Sequence, residues 1–247
     1  SAARAAWPAL FDAAYARYPA VPHGLLESIA FVQSRWTMLD GMRAPDAESA
    51  PAVGVMGLYQ GDGFADQVGD AAALLGVPRS QVERDSYWNI LGAAALLSET
   101  ASRLAADAPE AELLAAYAGF AAPRDAIDAF ARESFAYDVL LALDRGADDH
   151  GIRISSRAID WERQFGVDAL TRQHAPFVRL DLQRGAVEAD GYVVDPRDET
   201  LHAPGDAPGV NSTDYAPALW VASPYYHARG TAASAVTIHT MQGSYAG

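Results

Sequence analysis

The chain has 247 residues, half of them hydrophobic, with a formal net charge of −14 and a pI near 4.7. That length supports one large domain or two smaller ones, and the acidic balance argues against nucleic acid or an anionic membrane surface as partner, since both attract basic faces. No apolar run approaches the roughly 18 to 20 residues that span a bilayer, and the absence of cysteine removes disulfides, thiolate nucleophiles and cysteine-bound zinc.

From the N-terminus, alanine-rich segments with a period near 3.6 predict helices over about 3–18, 22–36, 64–76, 80–84, 86–106, 110–118 and 124–145. Ser80 and Glu83 have the spacing of a capping box, and Pro78 and Gly92 act as punctuation. Residues 39–63 form one long insertion rich in Gly, Pro and Asp, of the kind that carries function. After Gly146 the pattern changes to short β-like runs, Phe177 to Leu182 and Gly191 to Val194. Residues 204–212 read as a linker, with a second β-containing module after it. All 18 basic residues are arginine, a compositional bias with no mechanism attached.

Within the helical part, Val21-Pro22 is followed, eleven residues after the proline, by Gln33-Ser34, and then by Arg35 and Trp36. Farther on come Gly54-Val-Met-Gly57-Leu58-Tyr59-Gln60, Asn89-Ile90 and Ala116-Tyr117-Ala118-Gly119. In this order and spacing the four segments resemble the lytic transglycosylases of the lysozyme-like fold. The resemblance implies a groove for peptidoglycan glycan strands, with Gln33, Ser34, Tyr59, Gln60 and Tyr117 as substrate-binding residues.

The family places its general acid, a glutamate, where this chain has Gln33. A carboxamide has no titratable proton to give or accept, so it cannot perform general acid–base catalysis, whose loss typically costs about 10² to 10⁴ in rate. The expectation is a site with no catalytic residue. Glu27 precedes Gln33 by six residues, about 600° of helical rotation, and faces elsewhere. Asp40 and Asp62 lie in the insertion, and Glu133 reads as part of a solvated helix face. Tyr59 in place of the family's methionine, and the missing asparagine after Tyr117, favour natural drift over a deliberate substitution.

The C-terminal stretch contains Ser223-Pro224-Tyr-Tyr226-His-Ala-Arg229 and then Val236-Thr-Ile-His239-Thr-Met-Gln242-Gly-Ser-Tyr245. A lone histidine at the end of an apolar strand suits a structural rim position as well as a metal ligand. Taken together, the two segments resemble the start of the zinc-dependent N-acetylmuramoyl-L-alanine amidases. By that resemblance His239 is the first zinc ligand and the others come from later strands, so the expectation is either an N-terminal part of a longer protein or a C-terminal polypeptide that completes the domain, with this chain inactive as an amidase by itself. His202 and His227 read as loop residues.

Both resemblances point to peptidoglycan, with glycan strands and stem peptides as partners, zinc as cofactor, and a periplasmic, envelope or secreted location. The expected fold class is α+β. A mainly helical lysozyme-like domain (1–145) is followed by a spacer with short strands (146–212) and the first part of an amidase α/β domain (213–247). The functional expectation is a cell-wall amidase with a degenerate glycan-binding domain. The alternatives are a non-catalytic peptidoglycan scaffold and a transglycosylase with a relocated acid.

Overall fold

One helix, Ser86–Ala101, is apolar around most of its circumference, and the other elements are arranged about it. Asn89 through Ala95 and Leu97 are all buried, as befits a helix enclosed by protein rather than facing water. The computed structural model describes residues 5–41, 52–61, 64–119, 126–149, 151–175, 178–181, 185–188, 193–195 and 200–202. In chain order the first unit contains α1 (Trp7–Arg17), α2 (Leu25–Ser34), β1 (Leu39–Asp40), β2 (Ala52–Gly54), β3 (Leu58–Tyr59), α3 (Gln67–Leu75) and α4 (Arg79–Arg84). The central helix is α5, followed by α6 (Glu110–Tyr117), α7 (Ala126–Arg145), β4 (Ala147–Asp149), β5 (Ile152–Ile154) and α8 (Trp161–Gln173). The fold is α+β, mainly helical with small antiparallel sheets. No helix among the described residues is long and apolar enough to cross a membrane.

Helices α1, α3, α4 and α6 surround α5, and α2 packs against α7. At Gly92 the approach of α3 is close enough that a Cβ would lie 2.9 Å from the Ala71 methyl, so the missing side chain sets the spacing of these helices. Asp66 and Asp85 cap α3 and α5, accepting from Gly69 N at 3.1 Å and Tyr87 N at 2.8 Å. The predicted capping box at Ser80 does not form. Pro78 is the N-cap of α4 and Ser80 is already the second helical residue, because the extended Pro78 backbone starts the helix.

The insertion read as a loop contains a three-stranded antiparallel sheet, β1-β2-β3, with Leu39 opposite Gly54 and Val53 opposite Leu58. Val53, Val55, Met56 and Leu58 are buried, so this sheet is part of the core. Asn89 ties it to α5. Its Oδ1 accepts from Met56 N at 2.8 Å, while Nδ2 donates to Val82 O at 2.9 Å and Val53 O at 3.3 Å.

Beyond Arg145 the chain stays with the helical core, and the first compact unit runs to Gln173. The β4-β5 hairpin buries Ile152 and Ile154, and α8 packs Trp161 and Phe165 at a tilt against Tyr137, with ring centroids 5.0 and 5.8 Å away. Arg157 pairs with Glu110 at 2.6 Å, and Gln164 accepts from Ala111 N at 2.9 Å. Glu133 is half-buried instead of solvated, because Arg172 at 2.9 Å and Gln173 at 3.1 Å bind its carboxylate. The second unit, from His174, contains the hairpins β6 (Arg179–Asp181) with β7 (Ala186–Glu188) and β8 (Val193–Asp195) with β9 (Thr200–His202). His202 therefore lies in a strand rather than a loop.

Replacing Asn89 by Ala strands the Met56 N–H and two carbonyls in the core. Asn89→Ala is expected to lower unfolding free energy by about 2–4 kcal/mol, seen as a lower urea midpoint with unchanged slope.

Candidate functional site

Gln33 occupies the last turn of α2, whose end is unusual. Arg35 and Trp36 both have positive φ, 50° and 52°, a pair of left-handed non-glycine residues that only a well-braced environment holds. Three side chains provide the bracing. The Trp36 indole is fully buried and donates to Glu27 O at 3.0 Å, and the Arg35 guanidinium lies 4.3 Å over the Phe31 ring. The Ser34 hydroxyl sits 2.8 Å from Ala30 O and 2.6 Å from Val55 O, sharing its one proton between them while accepting from Thr37 N.

The β2-β3 turn is laid directly on Gln33. At Gly57, with φ 61°, a Cβ would come within 2.7 Å of the Gln33 Cβ. At Gly54, with φ 73°, it would overlap the Asn89 amide at 2.0 Å. Only glycine satisfies both the left-handed backbone and the contact at these two positions. The turn delivers Tyr59 to Gln33, and their side chains are hydrogen-bonded.

A second buried amide fixes Tyr59 from behind. Gln67 accepts from Tyr59 N at 3.1 Å and donates to Tyr117 O at 2.7 Å, joining β3 to the end of α6. Gly119 lies against the Tyr59 ring, where a Cβ would meet Cδ2 at 2.5 Å, and its carbonyl accepts from Ala65 N at 2.7 Å. Phe64 stacks on Tyr59 with centroids 4.8 Å apart and planes 20° from parallel. A cleft of about 370 Å³ between α3, α5 and α6 shares Gln67, Tyr117 and Gly119 with this cluster.

The electrostatics are those of neutral groups. Burial raises the Tyr59 phenol above its ordinary value, partly offset by the hydrogen bond from Gln33. Burial also raises Tyr117, and neighbouring Tyr59 adds to it. Burial is the first influence on both tyrosines. Both phenols therefore remain protonated at neutral pH and can donate and accept hydrogen bonds. The Tyr117 hydroxyl is buried and has no hydrogen-bond partner.

Of the residues singled out from sequence, Gln33, Tyr59 and Tyr117 come together. Ser34 is 7% exposed and spends its hydroxyl on backbone carbonyls, a bracing role rather than a ligand-facing one. Gln60 is half-buried beside Gly41 on the β1 side. Asp40 is exposed on β1, while Asp62, His227 and His239 lie outside the described residues. Among the described residues no three His, Asp or Glu side chains gather as a metal site. Phe64 and Gln67, which complete the cluster, carry no motif signal; a glutamine directly after the helix-capping Asp66 was the only hint.

Comparison with known families, curated proteins and solved structures returns no match to this chain. The site therefore rests on its own geometry and on the motif resemblance.

Glu27 faces α1. Its carboxylate accepts from the Tyr15 hydroxyl at 2.5 Å, and that hydroxyl accepts from Gly24 N at 2.9 Å and Leu26 N at 3.0 Å. His23 stacks on Tyr15 at 4.3 Å. Burial is the main influence on Glu27 and raises its pKa; Asp12 adds to the rise, while Tyr15 and His23 oppose it. A carboxyl with a raised pKa in the folded state binds its proton more tightly there than when unfolded. Its contribution to stability is complete below the ordinary glutamate range and is lost as pH rises through the folded value. Thermal melts across that range should show Glu27→Gln with a flatter acid-side dependence than the parent protein.

Proposed function

We propose that the helical unit grips peptidoglycan glycan strands without cleaving them, in an envelope protein whose C-terminal part belongs to a zinc-dependent muramoyl-alanine amidase. The observation that carries the first half is the Gln33–Tyr59 pair. Where the family resemblance calls for a proton-donating carboxylate, a carboxamide is hydrogen-bonded to a phenol that burial keeps protonated. Such a pair retains the hydrogen-bonding capacity of a sugar site and lacks its acid. Glu27 does not replace it, since its carboxyl is occupied by Tyr15 against α1. The amidase half rests on the sequence resemblance around His239, with stem peptides as the substrate.

Two measurements test the two halves separately. Isolated sacculi should retain the protein in a pull-down without releasing anhydro sugar ends, and Gln33→Glu alone should add little cleavage, because Tyr59 still occupies the new carboxylate's surroundings. Clear release of anhydro-muropeptides by that variant would sink the non-cleaving reading. For the amidase, the native protein should contain zinc and free stem peptides from sacculi, and His239→Ala should abolish both. Sacculus binding with no zinc and no peptide release would mark a non-catalytic scaffold instead.

A further inference from the structure

We propose that the cleft between α3, α5 and α6 is a ligand site of its own, taking an aliphatic amine whose alkyl chain lies on an apolar floor and whose ammonium group meets the carboxylates of the wall. This goes beyond the glycan-binding reading and does not depend on it, because neither Gln33 nor Tyr59 lines the cleft. At about 370 Å³ it falls within the range of small-molecule pockets, roughly 300–1,000 Å³. The floor comes from three helices. Leu74 of α3, Leu96 of α5 and Ala116 of α6 all line it, and Leu74 is 46% exposed, an open leucine in a concave setting. A short alkyl chain laid there removes apolar surface from water on both partners.

The charges select the other end of the ligand. Asp70 of α3 and Glu99 of α5 line the same cleft, with Arg103 one turn after Glu99. The Arg103 guanidinium donates to the Glu99 carboxylate at 2.6 Å, while the Asp70 side chain has no hydrogen bond or ion pair among the described residues. One negative charge in the lining is therefore unmatched. The Glu99–Arg103 pair is solvent-exposed, so it contributes little by itself and leaves Glu99 able to turn toward a second cation. At the buried end stands Tyr117, 5% exposed, whose hydroxyl is unpartnered and can accept. An ammonium group has three N–H donors and no acceptor, the complement of a lining with two carboxylates and an unspent phenol oxygen. An anionic ligand would meet Asp70 and a chain of net charge −14.

Calorimetric titration of the full chain with cadaverine, with its uncharged counterpart pentanediol and with the anion glutarate tests this. Cadaverine should bind, with an affinity that falls as salt is raised, and the other two should not. Asp70→Asn should lose roughly five- to tenfold. Ala116→Phe, at an exposed position, fills the cleft without changing its charge and should abolish binding. N-acetyl-lysine amide carries the same ammonium on a peptide unit, and whichever of it and cadaverine binds more tightly tells whether the natural ligand is a polypeptide side chain or a free amine. No binding of either amine, equal binding of pentanediol, or undiminished cadaverine affinity in a folded Ala116→Phe overturns the site. If Ala116→Phe does not fold, undiminished affinity in Asp70→Asn overturns it. Sacculus retention tests the glycan reading separately and is expected to be the same in Asp70→Asn as in the parent protein.

Discussion

Asn89 is the constraint on which the site depends. One buried carboxamide binds Met56 N, Val53 O and Val82 O, so it holds the turn of the small sheet and the last turn of α4 against the central helix. The glycine at position 54 lets that turn sit on the amide, and the glycine at 57 lets it sit on Gln33. Without the amide the turn would have no polar anchor in an otherwise apolar core, and Tyr59 would lose its approach to α2. Buried polar groups of this kind gain little net energy when satisfied but cost heavily when one partner is missing. Their value here is positional.

Gln67 repeats the device one layer farther out. It spends its acceptor on β3 and its donor on the end of α6, so Tyr59 and Tyr117 are fixed relative to each other through main-chain atoms. The side chains are then free to present their rings and hydroxyls. The cluster is thus braced by two amides and contains a third, Gln33, and a protein that used carboxylates in these places would have paid to bury charge. Uncharged amides meet the same hydrogen-bonding needs without that cost.

The helical architecture was legible because its segments are long and periodic, and the seven predicted helices agree with α1 to α7 to within a few residues at most ends. The exception, α8, has a polar surface and only Ala169 buried, and its Gly166 interrupts the helical backbone; a periodicity argument has nothing to detect there. The three-stranded sheet was missed for a related reason. Its strands are two or three residues long, too short for alternation, and they are fixed by Asn89 and by the core rather than by local preference. The spacing of Gly54, Gly57, Tyr59 and Tyr117 did point to the residues that meet at Gln33. Phe64 and Gln67 were invisible because a ring or an amide acquires a role only from what the fold sets beside it.

Helix α8 changes how the helical unit bears force. Its last turn is anchored to α7 by Arg172 and Gln173 on Glu133, with Ser134 receiving a further bond from Gln173. Tension on the polypeptide leaving Gln173 therefore loads a charged clasp on α7 first. That part of α7 also meets the Tyr59 cluster, since Phe135 packs on Tyr117 with centroids 6.3 Å apart and Arg132 donates to Ala115 O at 3.2 Å. The clasp and the tyrosine cluster therefore share one stretch of α7, and a load passed through Gln173 reaches the helix on which the Tyr117 ring rests.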